Sequence, residues 1–205
     1  MKRNHFLQLI IVCFYMLFGA YAYGSADSQK AISWVNDKGR ELLDTFNESD
    51  INKKHQKLDE MFINHVDLDY ISKFVVGKYW RSMTDSQKQK YQDLFKRYCL
   101  SVYKNFPLEF KNKITFSISN AYCNNDYCDV ITNVDIGEMA ENGQLQIFMV
   151  TFRIREKNNT WQIIDLKLAE SSLLLSYRNR FYEMINAVDG EIDWFLEDLA
   201  NSMPK

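Results

Sequence analysis

Apolar residues in the first half of the chain recur every three or four positions, which is the period of an amphipathic helix. Four such segments predict helices over about 28–47, 51–65, 67–77 and 84–107. The fourth helix is predicted to begin with a capping box, because Gln87 follows Thr84 by three residues. Gly77 is predicted to end the third helix and Pro107 the fourth.

Beyond residue 112 the apolar positions alternate with polar ones, which is the period of a half-buried strand. The alternation predicts four strands near 114–118, 130–136, 148–154 and 161–168. No helical segment separates these strands, so we expect a curved and mostly antiparallel sheet with one buried face. Asn158-Asn159 is predicted to form a hairpin turn. The helical period returns near 173–188 and 192–199. The sequence therefore predicts an α+β domain with N-terminal helices, a four-stranded sheet and C-terminal helices.

The first 26 residues form a segment of a different kind. Two basic residues precede an apolar run from Phe6 to Phe18, and small residues follow. This order is typical of a secretory signal peptide, with cleavage after Ala22 or Ala26. We therefore expect residues 1–26 to be removed on export and residues 27–205 to form a single domain.

Charge and composition narrow the classes of function. The chain carries a formal net charge of −2, and removal of the basic leader makes the mature protein more acidic. This balance argues against nucleic acid or an anionic membrane surface as the main partner. The chain has 14 Phe, 12 Tyr and 4 Trp but only 7 Gly and 2 Pro, which excludes collagen-like and disordered chains. Such large side chains can frame an apolar cavity or fill a core, and the sequence leaves both alternatives open.

The cysteines indicate a local disulfide rather than a metal site. Cys123 and Cys128 flank a turn-rich stretch, and in an oxidising compartment they could close a small hairpin loop. The sequence alone leaves open whether they are bonded. Cys99 lies on a helical apolar stripe and is expected to be a buried thiol. Two cysteines with no neighbouring histidine fall short of a zinc ligand set, so we expect neither a metal nor a cofactor.

Catalytic motifs are largely absent from the sequence, which has no Gly-x-Ser-x-Gly elbow and no His-Glu-x-x-His pair. Asp165 is the one candidate general base, because it lies in a strand beside Trp161 and Ile163. A structural hydrogen-bonding role is the favoured interpretation of Asp165, and Ser171-Ser172 is expected to cap a helix. Three hypotheses remain: a carrier of apolar ligands, an enzyme that uses Asp165 as a general base on a small apolar substrate, and an interaction module with a filled core.

Two segments carry a family resemblance. The first runs Val76-Gly77-Lys78-Tyr79-Trp80-Arg81 and is followed by Thr84, Gln87, Tyr91 and Phe95. The second contains Trp161, Ile163, Asp165, Leu168, Ser172, Leu173, Tyr177, Arg178 and Phe181. In order and spacing they resemble the MlaC/toluene-tolerance family of periplasmic phospholipid-binding proteins. One departure is Ala169-Glu170, where the family usually has Glu-Gly.

The resemblance implies an NTF2-like cone with a hydrophobic lipid cavity, in a monomeric periplasmic carrier that is not an enzyme. Such a carrier would shuttle phospholipid between an outer-membrane lipoprotein complex and an inner-membrane ABC transporter with an MCE-domain subunit. In this way it would maintain the lipid asymmetry of the outer membrane. Arg81 and Arg178 are the candidates for contact with the head group. The candidates for contact with the acyl chains are apolar and aromatic: Phe74, Val76, Tyr79, Trp80, Phe95, Tyr98, Val102, Phe148, Val150, Phe152, Leu173, Tyr177 and Phe181.

Overall fold

The computed structural model describes residues 26–104, 114–138 and 145–203. The predicted signal peptide up to residue 25 and the predicted helix end at Pro107 lie outside these ranges. The helices before the sheet are α1 (Ala26–Phe46), α2 (Ile51–His65), α3 (Leu68–Val76), a short 3-10 helix (Gly77–Arg81) and α4 (Asp85–Lys104). The strands are β1 (Thr115–Cys123), β2 (Cys128–Glu138), β3 (Leu145–Lys157), β4 (Thr160–Leu168) and β5 (Ser171–Ser172). Two helices follow the strands, α5 (Leu173–Ala187) and α6 (Ile192–Asn201).

The five strands form one antiparallel sheet in the order β1-β2-β3-β4-β5. The predicted α+β class and antiparallel pairing are confirmed, but the prediction of four strands missed one. Strand β5 has only two residues, and it pairs Ser171 with Leu168 and Ser172 with Lys167. A strand this short shows no alternation of apolar and polar positions, so periodicity does not detect it.

Turn and cap signals in the sequence set several element boundaries. The Thr84 backbone N–H donates to Gln87 Oε1 over 2.9 Å, and the Gln87 N–H donates to Thr84 Oγ1 over 3.2 Å, so the predicted capping box is present at the start of α4. Asn158 and Asn159 have φ angles of 53° and 60°, as a tight hairpin between β3 and β4 requires. Gly77 caps the C-terminal end of α3 with a φ of 50°.

The turn between β1 and β2 is closed by a disulfide that joins Cys123 to Cys128. The two cysteines also face each other in the strand register. Cys128 is buried, in the core cluster that the sheet forms with α1. Cys123 and Cys128 are therefore bonded in the structure, a point that the sequence left open.

Two separate hydrophobic clusters stabilise the described part of the chain. The larger one lies among α3, α4, α5 and α6, and the ring of Tyr91 lies at its centre, 5.8 Å from Phe95, 6.4 Å from Phe181 and 6.1 Å from Phe195. Several of these rings meet edge to face, the geometry that aromatic quadrupoles favour. The smaller cluster lies between α1 and the sheet. The space between the two clusters is the candidate site.

Candidate functional site

An apolar cavity of about 650 Å³ lies between the sheet and the helices. Its wall is built from α1, α2, α3, α4, β3, β4 and α5, together with Val66 between α2 and α3. The wall residues are Trp34, Val35, Lys38, Gly39, Leu42, Phe46, Leu58, Met61, Phe62, His65, Val66, Leu68, Ile71, Phe95, Cys99, Val102, Phe152, Ile163, Ile164, Asp165, Leu166, Leu168, Leu173, Leu174 and Tyr177. Nearly all of them are aliphatic or aromatic, so the cavity suits an apolar ligand.

One face of α1 forms a long side of the wall. Trp34, Lys38 and Leu42 recur at the four-residue spacing that places side chains above one another on a helix. Gly39 lies on the same face, and the ring of Phe116 from β1 is packed against it. A Cβ atom at position 39 would overlap this ring, so glycine allows the close contact between α1 and the sheet.

The polar groups of the wall are few and mostly uncharged. Burial lowers the pKa of His65, and the nearby Lys38 charge lowers that pKa further, so the imidazole is neutral at pH 7. Burial raises the pKa of the Cys99 thiol to about 12, so this group is protonated. Lys38 is the wall residue with a cationic side chain, and its Nζ donates to Glu41 Oε2 over 2.8 Å.

Asp165 is the buried carboxylate of the wall, with an exposed fraction of 6%. Its Oδ2 accepts a 2.6 Å hydrogen bond from Ser172 Oγ, and its Oδ1 accepts a 3.0 Å bond from the Leu174 backbone N–H. Ser172 Oγ in turn accepts from the Leu175 N–H over 3.1 Å, so Ser172 caps α5 as predicted. The side chain of Asp165 therefore ties the end of β4 to the first turn of α5.

Comparisons with known proteins show the family. A family model described as MlaC protein matches residues 37–201. The chain belongs to the MlaC family. This result confirms the resemblance that the two sequence segments carry.

The second comparison is between this MlaC-family chain and a solved structure of similar fold. It is the phospholipid-binding protein of Ralstonia solanacearum in complex with a phospholipid, with a TM-score of 0.69 and 20% sequence identity. The match covers 83% of this chain and 95% of that chain. At this identity the likeness establishes the fold. A search of curated proteins found no match for this chain.

Five of the thirteen predicted contacts for acyl chains lie on the cavity wall: Phe95, Val102, Phe152, Leu173 and Tyr177. Six others belong to the helical cluster instead: Phe74, Val76, Tyr79, Trp80, Tyr98 and Phe181. These six residues lie on α3, the 3-10 helix, α4 and α5, whose apolar side chains pack against one another and against α6 in that cluster. An apolar stripe on a helix has the same period whether it packs in a core or lines a cavity.

The remaining two predicted contacts, Phe148 and Val150, lie on β3 beyond the wall. They share the inner face of the sheet with Phe152, because alternate residues of a strand point to the same side. Phe148 is 47% exposed, and Leu168, which pairs with Val150 and belongs to the wall, is 51% exposed. The apolar face of the sheet therefore continues from the cavity to the protein surface.

The family-like segment at Gly77 packs against α5. Tyr79 Oη donates to Asn186 Oδ1 over 2.9 Å, and the Lys78 backbone N–H donates to Tyr182 Oη over 3.2 Å. A Cβ atom at position 77 would overlap Tyr182 Oη, so this close contact needs glycine. Arg178 of the second family-like segment also lies beside Gly77, so the two segments that carry the resemblance contact each other.

The two predicted head-group arginines lie outside the cavity wall. Arg81 is exposed at the end of the 3-10 helix. The Arg178 guanidinium lies 4.8 Å from the centre of the Phe74 ring and donates to Tyr182 Oη over 3.1 Å. These contacts hold Arg178 between α3 and α5.

The sequence reasoning missed the contribution of α1 and α2 to the wall. The missed side chains are Trp34, Leu42, Phe46, Leu58, Met61 and Phe62, among others. The helical spacing of these residues in the sequence predicts the two helices, but it does not predict which face of each helix meets a cavity. Within the described ranges, no helix is long and apolar enough to cross a membrane, and no group of three or more His, Cys, Asp or Glu residues is placed to hold a metal ion.

Proposed function

We propose that this chain carries a phospholipid whose acyl chains are enclosed in the apolar cavity. The observation that carries the proposal is the wall itself, about 650 Å³ of space lined almost wholly by aliphatic and aromatic side chains. The similar fold of the Ralstonia solanacearum protein, which is described in complex with a phospholipid, supports this interpretation. Apolar walls place few geometric demands on flexible chains, so we expect weak selectivity for tail type.

The energetics of lipid transfer require such an enclosure. A diacyl lipid has roughly 30 methylenes, and at about 0.8 kcal/mol each their exposure to water costs on the order of 25 kcal/mol. Release into water would therefore be far too slow for a carrier. The tails must stay covered until the protein docks on a donor or an acceptor, and the lipid must move directly between the two.

The cellular part of the proposal follows from the family and from the predicted signal peptide. The mature chain, residues 27–205, is a periplasmic monomer in the NTF2-like cone that the resemblance implies. It takes phospholipid from, or delivers it to, an outer-membrane lipoprotein complex and an inner-membrane ABC transporter with an MCE-domain subunit. This exchange maintains the lipid asymmetry of the outer membrane.

The competing proposal is an enzyme that uses Asp165 as a general base at the cavity. The placement of Asp165 on the wall favours this alternative, but both carboxylate oxygens already accept hydrogen bonds that anchor α5. Protonation of either oxygen would remove the negative charge and so weaken the hydrogen bonds that hold α5. The anchoring role accounts for these contacts without a reaction.

Lipid extraction tests the carrier proposal directly. The mature chain, purified from the periplasm without detergent, is extracted with chloroform and methanol, and the extract is analysed by mass spectrometry. We expect phospholipid in stoichiometric amount, and an unrelated exported protein purified in the same way serves as the control. A lipid-free extract that stays lipid-free after incubation of the protein with phospholipid vesicles would contradict the proposal.

A further inference from the structure

Helix α6 has a buried face and an exposed face of opposite character. Ile192, Phe195, Leu196 and Leu199 are buried in the helical cluster. On the other side Trp194 is 68% exposed, the largest exposed fraction among the large hydrophobic residues of the described ranges. Trp194 therefore lies on the solvent side of α6, opposite the face that packs in the helical cluster.

Acidic side chains surround this tryptophan. The segment from Asp189 to Asp198 contains five acidic residues and no basic one. Glu191, Glu197 and Asp198 stand three or four positions from Trp194, so they are its neighbours on the helix surface, and all three are exposed. In the part of the chain that the structure describes, none of the five forms a salt bridge.

We propose that the acidic tryptophan face of α6, formed by Glu191, Trp194, Glu197 and Asp198, docks onto a lysine- and arginine-rich surface of a partner protein that exchanges lipid with this chain. The inference rests on the proposed carrier function, because a carrier must dock to pass on its cargo. Tryptophan is enriched among residues that dominate binding energy at protein interfaces. A cation over the indole ring gains a cation–π contact, while the carboxylates accept its hydrogen bonds.

The charge of the face selects the kind of partner. Unpaired carboxylates on one face attract a cationic protein surface and speed the encounter with it. The same carboxylates are repelled by the negative potential of an anionic bilayer. The face is therefore assigned to a protein, and direct binding to anionic lipid is an outcome that the experiment must separate.

The probe is the purified soluble MCE-domain subunit of the transporter from the same organism, titrated against the full mature chain by calorimetry. We expect Trp194→Ala to weaken the affinity about 30-fold. The double variant Glu197→Lys/Asp198→Lys should weaken it as well, and the affinity of the unmodified chain should fall as salt is added. Tyr122→Ala is the matched control, since Tyr122 on β1 is 61% exposed, and it should leave the affinity unchanged.

Wild-type affinity in both α6 variants would overturn the docking proposal. The proposal would also be overturned if Trp194→Ala lost its binding to vesicles of anionic phospholipid while its binding to the MCE-domain subunit stayed unchanged. Lipid extraction of every variant keeps the two proposals apart. Variants that retain their phospholipid but bind the partner normally contradict only the docking face, whereas an unmodified chain without phospholipid contradicts the carrier function.

Discussion

The hydroxyl of Ser172 donates a 2.6 Å hydrogen bond to Asp165 Oδ2, and this contact joins strand β4 to the start of helix α5. Both residues belong to the second family-like segment. The cavity wall continues on each side of the contact, through Leu166 and Leu168 on β4 and through Leu173 on α5. The bond therefore tethers a strand of the wall to a helix of the wall.

Substitution of Asp165 by asparagine should weaken this anchor and leave lipid binding intact. An amide offers one oxygen in place of two, so the hydrogen bond from Ser172 or the one from Leu174 is lost at a buried position. We expect the free energy of unfolding to fall by about 1–3 kcal/mol in urea titrations. Asp126→Asn in the exposed β1–β2 turn is the control. Unchanged stability together with loss of an enzymatic turnover would favour the catalytic alternative instead.

The turn between β4 and β5 contains the residue pair in which this chain departs from the family pattern. Ala169 has a φ of 53°, in the left-handed region that a Cβ atom disfavours by roughly 1–2 kcal/mol. Ala169→Gly should therefore raise the free energy of unfolding by about 1 kcal/mol, less the entropy that glycine gains in the unfolded chain. Ala200→Gly within helix α6 should lower stability by about 0.5–1 kcal/mol. Destabilisation by both substitutions would show that the turn does not strain Ala169.

The sequence predicted the elements well because most of them are long and periodic. Helix α2 and the capping box at Thr84 match their predictions, whereas the two-residue β5 has no period to detect. The site was less accessible to sequence reasoning, since Phe181 and Leu42 lie on equally regular apolar stripes. Only the packing of α5 in the helical cluster shows that Phe181 is buried there while Leu42 faces the cavity. Periodicity gives the apolar face of an element, and the partner of that face is set by tertiary structure.

A charge placed on the cavity wall should expel the cargo. Leu42 on α1 belongs to the wall, so Leu42→Asp would put a carboxylate against the acyl chains, where it loses its hydration. We expect the phospholipid recovered per mole of protein to fall several-fold, as quantified by mass spectrometry. Ile51→Asp is the matched control, because Ile51 is 48% exposed and outside the wall. Equal lipid recovery from both variants would argue that the acyl chains lie elsewhere.

Reduction of the disulfide should lower stability by a modest amount, because the loop that it closes is short. Cys123 and Cys128 are five residues apart, and the chain-entropy relation gives about 2 kcal/mol for a loop of this size. Urea titrations of the mature chain with and without dithiothreitol measure the difference. A Cys99→Ala variant should show the same response to reductant, since Cys99 is a free thiol. If reductant leaves the titration unchanged, the bond contributes little to folding.

Asp67 links the start of helix α3 to strand β3 through two cations. Its side chain is 1% exposed, and it accepts hydrogen bonds from Arg155 Nη2 over 2.6 Å and from Lys157 Nζ over 2.9 Å. Burial alone would raise the pKa of Asp67, but the hydrogen bonds from Lys157, Arg155 and the Tyr70 backbone N–H outweigh it and lower the pKa. The ionised carboxylate is therefore the form that stabilises the fold.

The lowered pKa of Asp67 fixes how stability depends on pH. The unfolded chain holds the Asp67 proton more tightly than the folded protein does, so the ion pairs contribute fully above the ordinary carboxyl pKa of 3.8. This contribution is lost as the pH falls through the lower pKa of the folded state. Asp67→Asn keeps a capping side chain for α3 but removes the charge. We expect it to cost about 3 kcal/mol at neutral pH, the low end for a broken buried ion pair, because Arg155 and Lys157 stay partly hydrated.

Urea titrations of the unmodified chain and of Asp67→Asn over a range of pH provide the measurement. The difference between their free energies of unfolding should be constant from pH 7 down to the ordinary carboxyl range and should shrink at lower pH. Asp85→Asn is the control, since Asp85 is fully exposed at the start of α4 and its substitution should give a much smaller difference. A difference between the unmodified chain and Asp67→Asn that persists at low pH would assign the stabilisation to the shape of the side chain rather than to its charge.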